Sequence, residues 1–295
     1  MSSVKANGIT IEYDLFGNSS ARPLLLVMGL GTQMIGWDEE FCQRLADNGH
    51  YVVRFDNRDI GLSSKMDDAP VPVMAELMTE MLQGNTPEVP YSLNDMADDA
   101  IGLLDALNID SAHICGASMG GMIVQTMALI HRSRIRSMTS IMSTTGNPEL
   151  PAATPEAMAA LTKPPAADRH SQIEQSVSSQ KIIGSPGFPF DEERSRQKVA
   201  TAYDRSFYPQ GTARQMAAVI AAGNRRPGLE TLDLPTLVIH GKADPLVPVT
   251  GGLDTHEAIS GSELLLIEGM GHDMPPGTWD EIIPSISAFT AKNDL

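Results

Sequence analysis

Residues 112–130 read AHICGASMGGMIVQTMALI, and this stretch decides the fold. A short apolar run ends in a group of glycines around Ser118, and a longer, almost wholly apolar run follows. The pattern predicts a strand over 112–116, a sharp turn, and a helix from about residue 120 to 131.

Gly116 and Gly120 stand two positions before and two positions after Ser118. Close packing of a strand against the helix that follows it excludes larger side chains at these two positions. The turn would strain Ser118 and lift its hydroxyl above the carboxyl edge of the sheet, at a helix N-terminus. This is the Gly-x-Ser-x-Gly nucleophile elbow, and it makes Ser118 the candidate nucleophile. An ordinary glycine-rich turn with an incidental serine is the alternative.

Strand patterns recur along the chain and alternate with helical ones. Two short strands flank the Asn7-Gly8 turn, and a helix is predicted over 92–107 from its apolar spacing. The other predicted elements are strands at 24–28, 51–55, 136–142, 236–240 and 263–267, and helices at 41–50 and 73–83. Such alternation predicts an α/β fold with about eight strands in a mostly parallel sheet, flanked by helices.

Residues 147–226 interrupt this alternation. They begin with proline- and alanine-rich sequence and continue as helical stretches near 169–183, 191–206 and 210–222, without a strand-like run. We therefore expect a core domain made of residues 1–146 and 227–295, with a helical cap, residues 147–226, inserted between two sheet strands.

A serine nucleophile needs a base, and the base needs an acid that orients it. In this architecture both follow the serine in the chain, each just past a strand end. Asp244 follows the strand PTLVIHG, residues 235–241, and His272 follows ELLLIEG, residues 263–269. We therefore expect a Ser118, Asp244, His272 triad. Asp273, the rival acid, is too close in sequence to orient its neighbour.

Two further carboxylates, Asp233 and Asp254, are interpreted as solvated. The histidines His113 and His240 lie within apolar strands, and we expect them to be buried core residues.

Acyl transfer also needs hydrogen-bond donors for the oxyanion. We expect one donor to be the backbone N–H of Met119, immediately after the serine. The second is expected from the loop Gly29-Leu30-Gly31-Thr32, with the N–H of Leu30 favoured. A plain turn that only ends a strand is the alternative for this loop.

The amino-acid composition limits which partners this protein is expected to bind. A net charge of −16 argues against nucleic acid, because phosphate binding needs clustered Lys and Arg. No apolar run is long enough to span a bilayer, so no membrane insertion is expected, and the N-terminal residues show no signal-peptide pattern. The two cysteines, Cys42 and Cys115, suggest neither a metal site nor a disulfide framework. We expect a cytoplasmic protein.

The sequence resembles α/β-hydrolases through the segments LLLVMGLGTQMIGW, VVRFDNRDIGLSS, GASMGGMIVQ, HGKADPLVP and GMGHDMP. It is most similar to bacterial carboxylesterases and the aclacinomycin methylesterase type. The resemblance implies a serine hydrolase of carboxylic esters with a cap over its site. Two positions depart from the pattern: Met28 replaces a histidine found in many relatives, and Asp59 replaces a glycine. We interpret the Arg58-Asp59 turn as structural.

The expected reaction is hydrolysis of a small-molecule, short-chain carboxylic ester through an acyl-enzyme, with no metal or organic cofactor. Alternatives on the same triad are a carbon–carbon bond hydrolase, a lactonase or thioesterase, and a perhydrolase. A small-molecule receptor without turnover is a further alternative. The sequence leaves open whether the protein forms a homo-oligomer. It also leaves open whether the cap aromatics line an apolar pocket or pack on each other; these are Phe188, Phe190, Tyr203, Phe207 and Tyr208.

Overall fold

The computed structural model describes residues 1–294, so only the last residue of the predicted core segment 227–295 lies outside it. Eight strands form one sheet in the order β1-β2-β4-β3-β5-β6-β7-β8. They are β1 (Ser2–Ala6), β2 (Ile9–Phe16), β3 (Arg22–Val27), β4 (His50–Phe55), β5 (Ala112–Ala117), β6 (Ile135–Ile141), β7 (Thr236–Gly241) and β8 (Glu263–Ile267). The predicted α/β fold with about eight strands is confirmed.

The sheet is mostly parallel. The β1–β2 and β2–β4 pairs are antiparallel, and every other neighbouring pair is parallel. The carboxyl ends of β3 to β8 therefore lie along one edge, where an α/β sheet binds its ligands. The loops that carry the predicted site residues all leave from this edge.

Helices cover both faces of the sheet. They are α1 (Glu39–Asp47), α2 (Met74–Leu82), α3 (Leu93–Ala106), α4 (Met119–Ile130), α5 (Pro155–Leu161), α6 (Arg169–Ile183), α7 (Glu192–Arg205), α8 (Pro209–Ala221), α9 (Arg226–Leu229), α10 (Thr250–Ala258) and α11 (Trp279–Lys292). One apolar cluster packs α3 and α4 on the sheet, and a second packs α1 and α11 on its opposite face. In the described chain, no helix is both long and apolar enough to cross a bilayer.

Five of these helices lie between the neighbouring strands β6 and β7. We refer to residues 147–226, which contain α5 to α8, as the insertion. Two buried ion pairs tie it to the loop after β4: Arg205 contacts Asp56 at 2.7 Å, and Arg214 contacts Asp59 at 2.6 Å. Arg214 donates bidentate hydrogen bonds to the Asp59 carboxylate, and these raise the pKa of Arg214.

Candidate active site

Ser118 lies between β5 and α4 with φ 56° and ψ −119°, a conformation that non-glycine residues rarely adopt. Its neighbours explain why the turn needs glycine. A Cβ on Gly116 would lie 2.1 Å from the carbonyl oxygen of Gly120, and a Cβ on Gly120 would lie 2.0 Å from the carbonyl oxygen of Val27. The Ser118 N–H donates to the carbonyl of Ile141 at 2.9 Å, which ties the strained residue to β6.

The three predicted site side chains lie in one hydrogen-bonded row. His272 Nε2 is 2.9 Å from Ser118 Oγ, and His272 Nδ1 is 2.7 Å from Asp244 Oδ2. The second carboxylate oxygen of Asp244 accepts the backbone N–H groups of Leu246 at 2.9 Å and Val247 at 2.8 Å. Because both oxygens are engaged and the side chain is fully buried, the carboxylate is fixed in orientation.

The rival carboxylates lie elsewhere. Asp273 accepts the hydroxyl hydrogen of Ser185, and burial raises the pKa of Asp273. The expectation that Asp254 is solvated is wrong, since this side chain is buried and accepts hydrogen bonds from Thr145 and Arg226. Its partners come from distant parts of the chain, which sequence spacing does not reveal.

The two predicted core histidines are buried. His113 contacts Ser137 Oγ at 2.7 Å, and His240 contacts the carbonyl of Val247 at 2.8 Å. Burial lowers the pKa of both imidazoles. Within residues 1–294, no cluster of three or more His, Cys, Asp or Glu side chains could hold a metal ion.

The loop after β3 lies against the serine. A Cβ on Gly29 would be 3.1 Å from Ser118 Cβ, so the two backbones are in close contact. Among the hydrogen bonds of residues 1–294, neither the N–H of Leu30 nor that of Met119 has an acceptor. Both predicted donors are thus free to donate to a ligand oxygen.

The insertion reaches both sides of this row. The backbone N–H of His272 donates to the carbonyl of Ile183 at 2.8 Å, and Ser185 Oγ accepts the N–H of Gly271 at 2.9 Å. On the other side, Gln215 Oε1 accepts the N–H of Gly31 at 2.9 Å. Sequence reasoning missed these contacts, because a single glutamine within a helical stretch carries no signal of its partner.

Four of the five aromatic side chains of the insertion divide between the two expected roles, and the fifth, Tyr208, donates its hydroxyl hydrogen to Asp67. Phe188 and Phe190 line a cavity of about 380 Å³ beside Ala243 and Pro245, which flank Asp244. Tyr203 and Phe207 instead stack on each other with ring centroids 4.5 Å apart.

A family model described as alpha/beta hydrolase fold matches residues 22–275. The chain belongs to the α/β-hydrolase fold family. Among curated relatives of this α/β hydrolase, rhodomycin D methylesterase DauP of Streptomyces sp. strain C5 is 27% identical over 303 residues, covering 96% of this chain and 95% of the relative. A 3-oxoadipate enol-lactonase of Acinetobacter baylyi is 27% identical, covering 89% of this chain and 86% of the relative.

Among solved structures, the α/β hydrolase is similar to the meta-cleavage product hydrolase CumD of Pseudomonas fluorescens IP01. The TM-score is 0.79 at 20% identity, and the match covers 99% of this chain and 98% of the other. At this identity, the likeness shows the fold alone. The curated relatives support ester hydrolysis in general.

Proposed function

We propose that this protein is a serine hydrolase of carboxylic esters. Ser118 is the nucleophile, His272 the general base, and Asp244 the acid that orients the base. The observation that carries the proposal is the continuous row of hydrogen bonds, 2.9 Å from His272 Nε2 to Ser118 Oγ and 2.7 Å from His272 Nδ1 to Asp244 Oδ2.

The reaction follows from these contacts. Ser118 Oγ attacks the ester carbonyl carbon while His272 Nε2 takes the hydroxyl proton. The oxyanion that forms accepts the free N–H groups of Leu30 and Met119, which need not reorganise during the reaction. His272 then gives its proton to the leaving alcohol, and an acyl-enzyme remains. Water attacks the acyl group with His272 as base, and the acid leaves.

Asp244 supports the base through both reaction steps. Its buried carboxylate fixes the ring orientation and the tautomer, with Nδ1 protonated and Nε2 facing the serine. It also stabilises the imidazolium while His272 carries the extra proton. Its two backbone donors, Leu246 and Val247, keep it from rotating away.

The substrate class rests on the relatives. Two of them are named rhodomycin D methylesterases, so we propose an ester of a small alcohol, with the insertion as a cap over the acyl group. A lactonase is the second candidate, because a relative covering 89% of this chain is named an enol-lactonase and a lactone is a cyclic ester. We propose a cytoplasmic location, consistent with the two cysteines being free and buried.

Initial rates on p-nitrophenyl esters from acetate to palmitate, on methyl esters, and on a γ-lactone test the proposal. We expect multiple turnover on short esters by the wild-type protein and none by Ser118→Ala. Ser178→Ala, at an exposed serine of α6, is the matched control and should keep the full rate. Turnover by Ser118→Ala would refute the nucleophile. A folded wild-type protein inactive on every ester and lactone would refute the function.

A further inference from the structure

One face of α8 lies against the loops that follow β3 and β4. A Cβ on Gly211 would lie 2.0 Å from the carbonyl oxygen of Asp59, so the helix touches the backbone of the β4 loop. One turn further along, Gln215 is fully buried on the same face. Thr212 packs beside them: a Cβ on Gly31 would lie 2.9 Å from its methyl carbon.

Gln215 joins these two loops through both ends of its side-chain amide. Its Oε1 accepts the N–H of Gly31 at 2.9 Å, and its Nε2 donates to the carbonyl of Arg58 at 2.9 Å. A buried amide with one bond at each end is held firmly, since leaving either partner unsatisfied costs about 1–3 kcal/mol. The side chain therefore fixes where Gly31 lies relative to the β4 loop.

Gly31 is the third residue of a tight turn. The carbonyl of Gly29 accepts the N–H of Thr32 at 3.2 Å, and Gly31 has φ +65°, as the third residue of a type II turn requires. In a trans peptide unit, the carbonyl and the N–H that follows it point in opposite directions. Because the Gly29 carbonyl points into the turn, the Leu30 N–H points out of it.

Two side chains bond the central peptide of this turn: Gln215 accepts the Gly31 N–H from outside the turn, and the exposed Thr32 hydroxyl donates to the Leu30 carbonyl at 3.2 Å from within it. Type I and type II turns differ in the orientation of that central peptide. Without Gln215, the peptide keeps only the exposed local bond from Thr32, and no hydrogen bond from outside the turn selects the orientation seen, so the backbone angles of Leu30 can change with it.

We propose that Gln215 is a positioning residue for the oxyanion donor: by holding the Gly31 N–H, the insertion aims the Leu30 N–H at the place where the oxyanion forms. This inference rests on the proposed function. It assigns to α8 a part in the reaction, although Gln215 itself touches no reacting atom.

The chain offers a matched control for the same kind of contact. Gln33 is also buried and also bridges core and insertion, with Nε2 donating to the carbonyls of Ala202 at 2.6 Å and Ser206 at 2.8 Å. It does not bond the Gly29–Thr32 turn. Its Oε1 also accepts a hydrogen bond from Arg205 at 2.7 Å, so Gln33→Leu removes three insertion contacts, against two for Gln215→Leu, and leaves the donor's support in place.

The test compares Gln215→Leu, Gln215→Glu and Gln33→Leu on a short p-nitrophenyl ester. Displacing a catalytic donor by about 1 Å costs on the order of 100-fold. For Gln215→Leu we expect kcat to fall about 10- to 100-fold with KM within about twofold. Affinity for an aryl trifluoromethyl ketone, whose adduct carries the oxyanion, should fall by the same factor. Gln215→Glu keeps an acceptor for Gly31 and should recover part of kcat, whereas Gln33→Leu should stay within about twofold of wild-type kcat.

Three results would overturn the inference: Gln215→Leu within about threefold of wild-type kcat, a change in KM alone, or an equal loss in Gln33→Leu. Failure of the proposed function shows separately, as a wild-type protein without esterase activity. In that case the rate at which a fluorophosphonate labels Ser118 still compares the variants. Slower labelling in Gln215→Leu alone would support the inference, and equal labelling would refute it.

Discussion

Gly120→Ala tests the elbow geometry directly. The new Cβ would lie 2.0 Å from the Val27 carbonyl oxygen and 2.9 Å from that of Met28. Ordinary contact begins near 3.4 Å, so α4 must move away from β3 by about 1.4 Å. Neither oxygen belongs to a flexible side chain that can turn aside. Overpacking of this kind costs about 1–3 kcal/mol, and a rigid backbone neighbour places the cost at the upper end.

The same movement separates the two proposed oxyanion donors, because Met119 moves with α4 while Leu30 stays with the β3 loop. We therefore expect kcat/KM on a short ester to fall by about 100-fold, beyond any loss of folded protein. Urea unfolding at 25 °C measures the first effect, and initial rates at a temperature where the variant is folded measure the second.

Gly228→Ala, in α9, is the matched control. The nearest atoms to its new Cβ would belong to the flexible Leu129 side chain of α4, at 3.1 Å. Alanine should be neutral there or stabilise by up to about 1 kcal/mol. The reasoning is refuted if Gly120→Ala unfolds within about 0.5 kcal/mol of wild type, or keeps wild-type kcat/KM.

Three further predictions concern the buried polar groups. Arg214→Met should lower the free energy of unfolding in urea by about 3–5 kcal/mol, because it leaves Asp59 charged and buried. Adding Asp59→Asn should restore part of the lost stability. A double variant no more stable than Arg214→Met would contradict this explanation. Burial lowers the pKa of His113 to about 4 from 6.5, so its unfolded state binds more protons between these values. Stability should then fall by about 3 kcal/mol as pH drops from 6.5 to 4, and His113→Asn should flatten that slope. Burial raises the pKa of Cys42 to about 12 and that of Cys115 further, so a disulfide reagent at pH 8 should modify neither thiol until urea unfolds the protein.

The elements nearest the site were predictable because their signals are local. The strand over 112–116 extends to Ala117, and the helix expected from about residue 120 begins at Met119. The glycine spacing around Ser118 predicts the turn by itself: Gly116 contacts Gly120 of the helix that follows, and Gly120 contacts Val27 of the neighbouring strand β3. The loops holding Asp244 and His272 follow strands that apolar runs reveal.

Four helices were missed, namely α5, α9, α10 and α11, and the two longest of them were missed for physical reasons. In α11, Pro284 interrupts a helix whose apolar spacing is otherwise regular, so the sequence shows a break where the structure has none. Helix α10 begins at Thr250 and continues with Gly251 and Gly252, which have low helix propensity. The structure needs them there, because a Cβ on Gly252 would lie 2.5 Å from the His240 ring. In both helices, packing against the rest of the fold outweighs the low local helix propensity.

The contacts by which the insertion holds the site loops could not be predicted either. They give the insertion a part in positioning the site residues. The insertion bonds the proposed donor loop through Gln215 and bonds the backbone of the proposed base through the Ile183 carbonyl. The fully buried pair of Arg214 and Asp59 fixes α8 between these contacts. A displacement of the whole insertion would have to expose that pair, and it would remove the support of donor and base together. The proposed cap over the site therefore also holds the geometry of the site. Substitutions at these contacts of the insertion should change kcat as readily as KM.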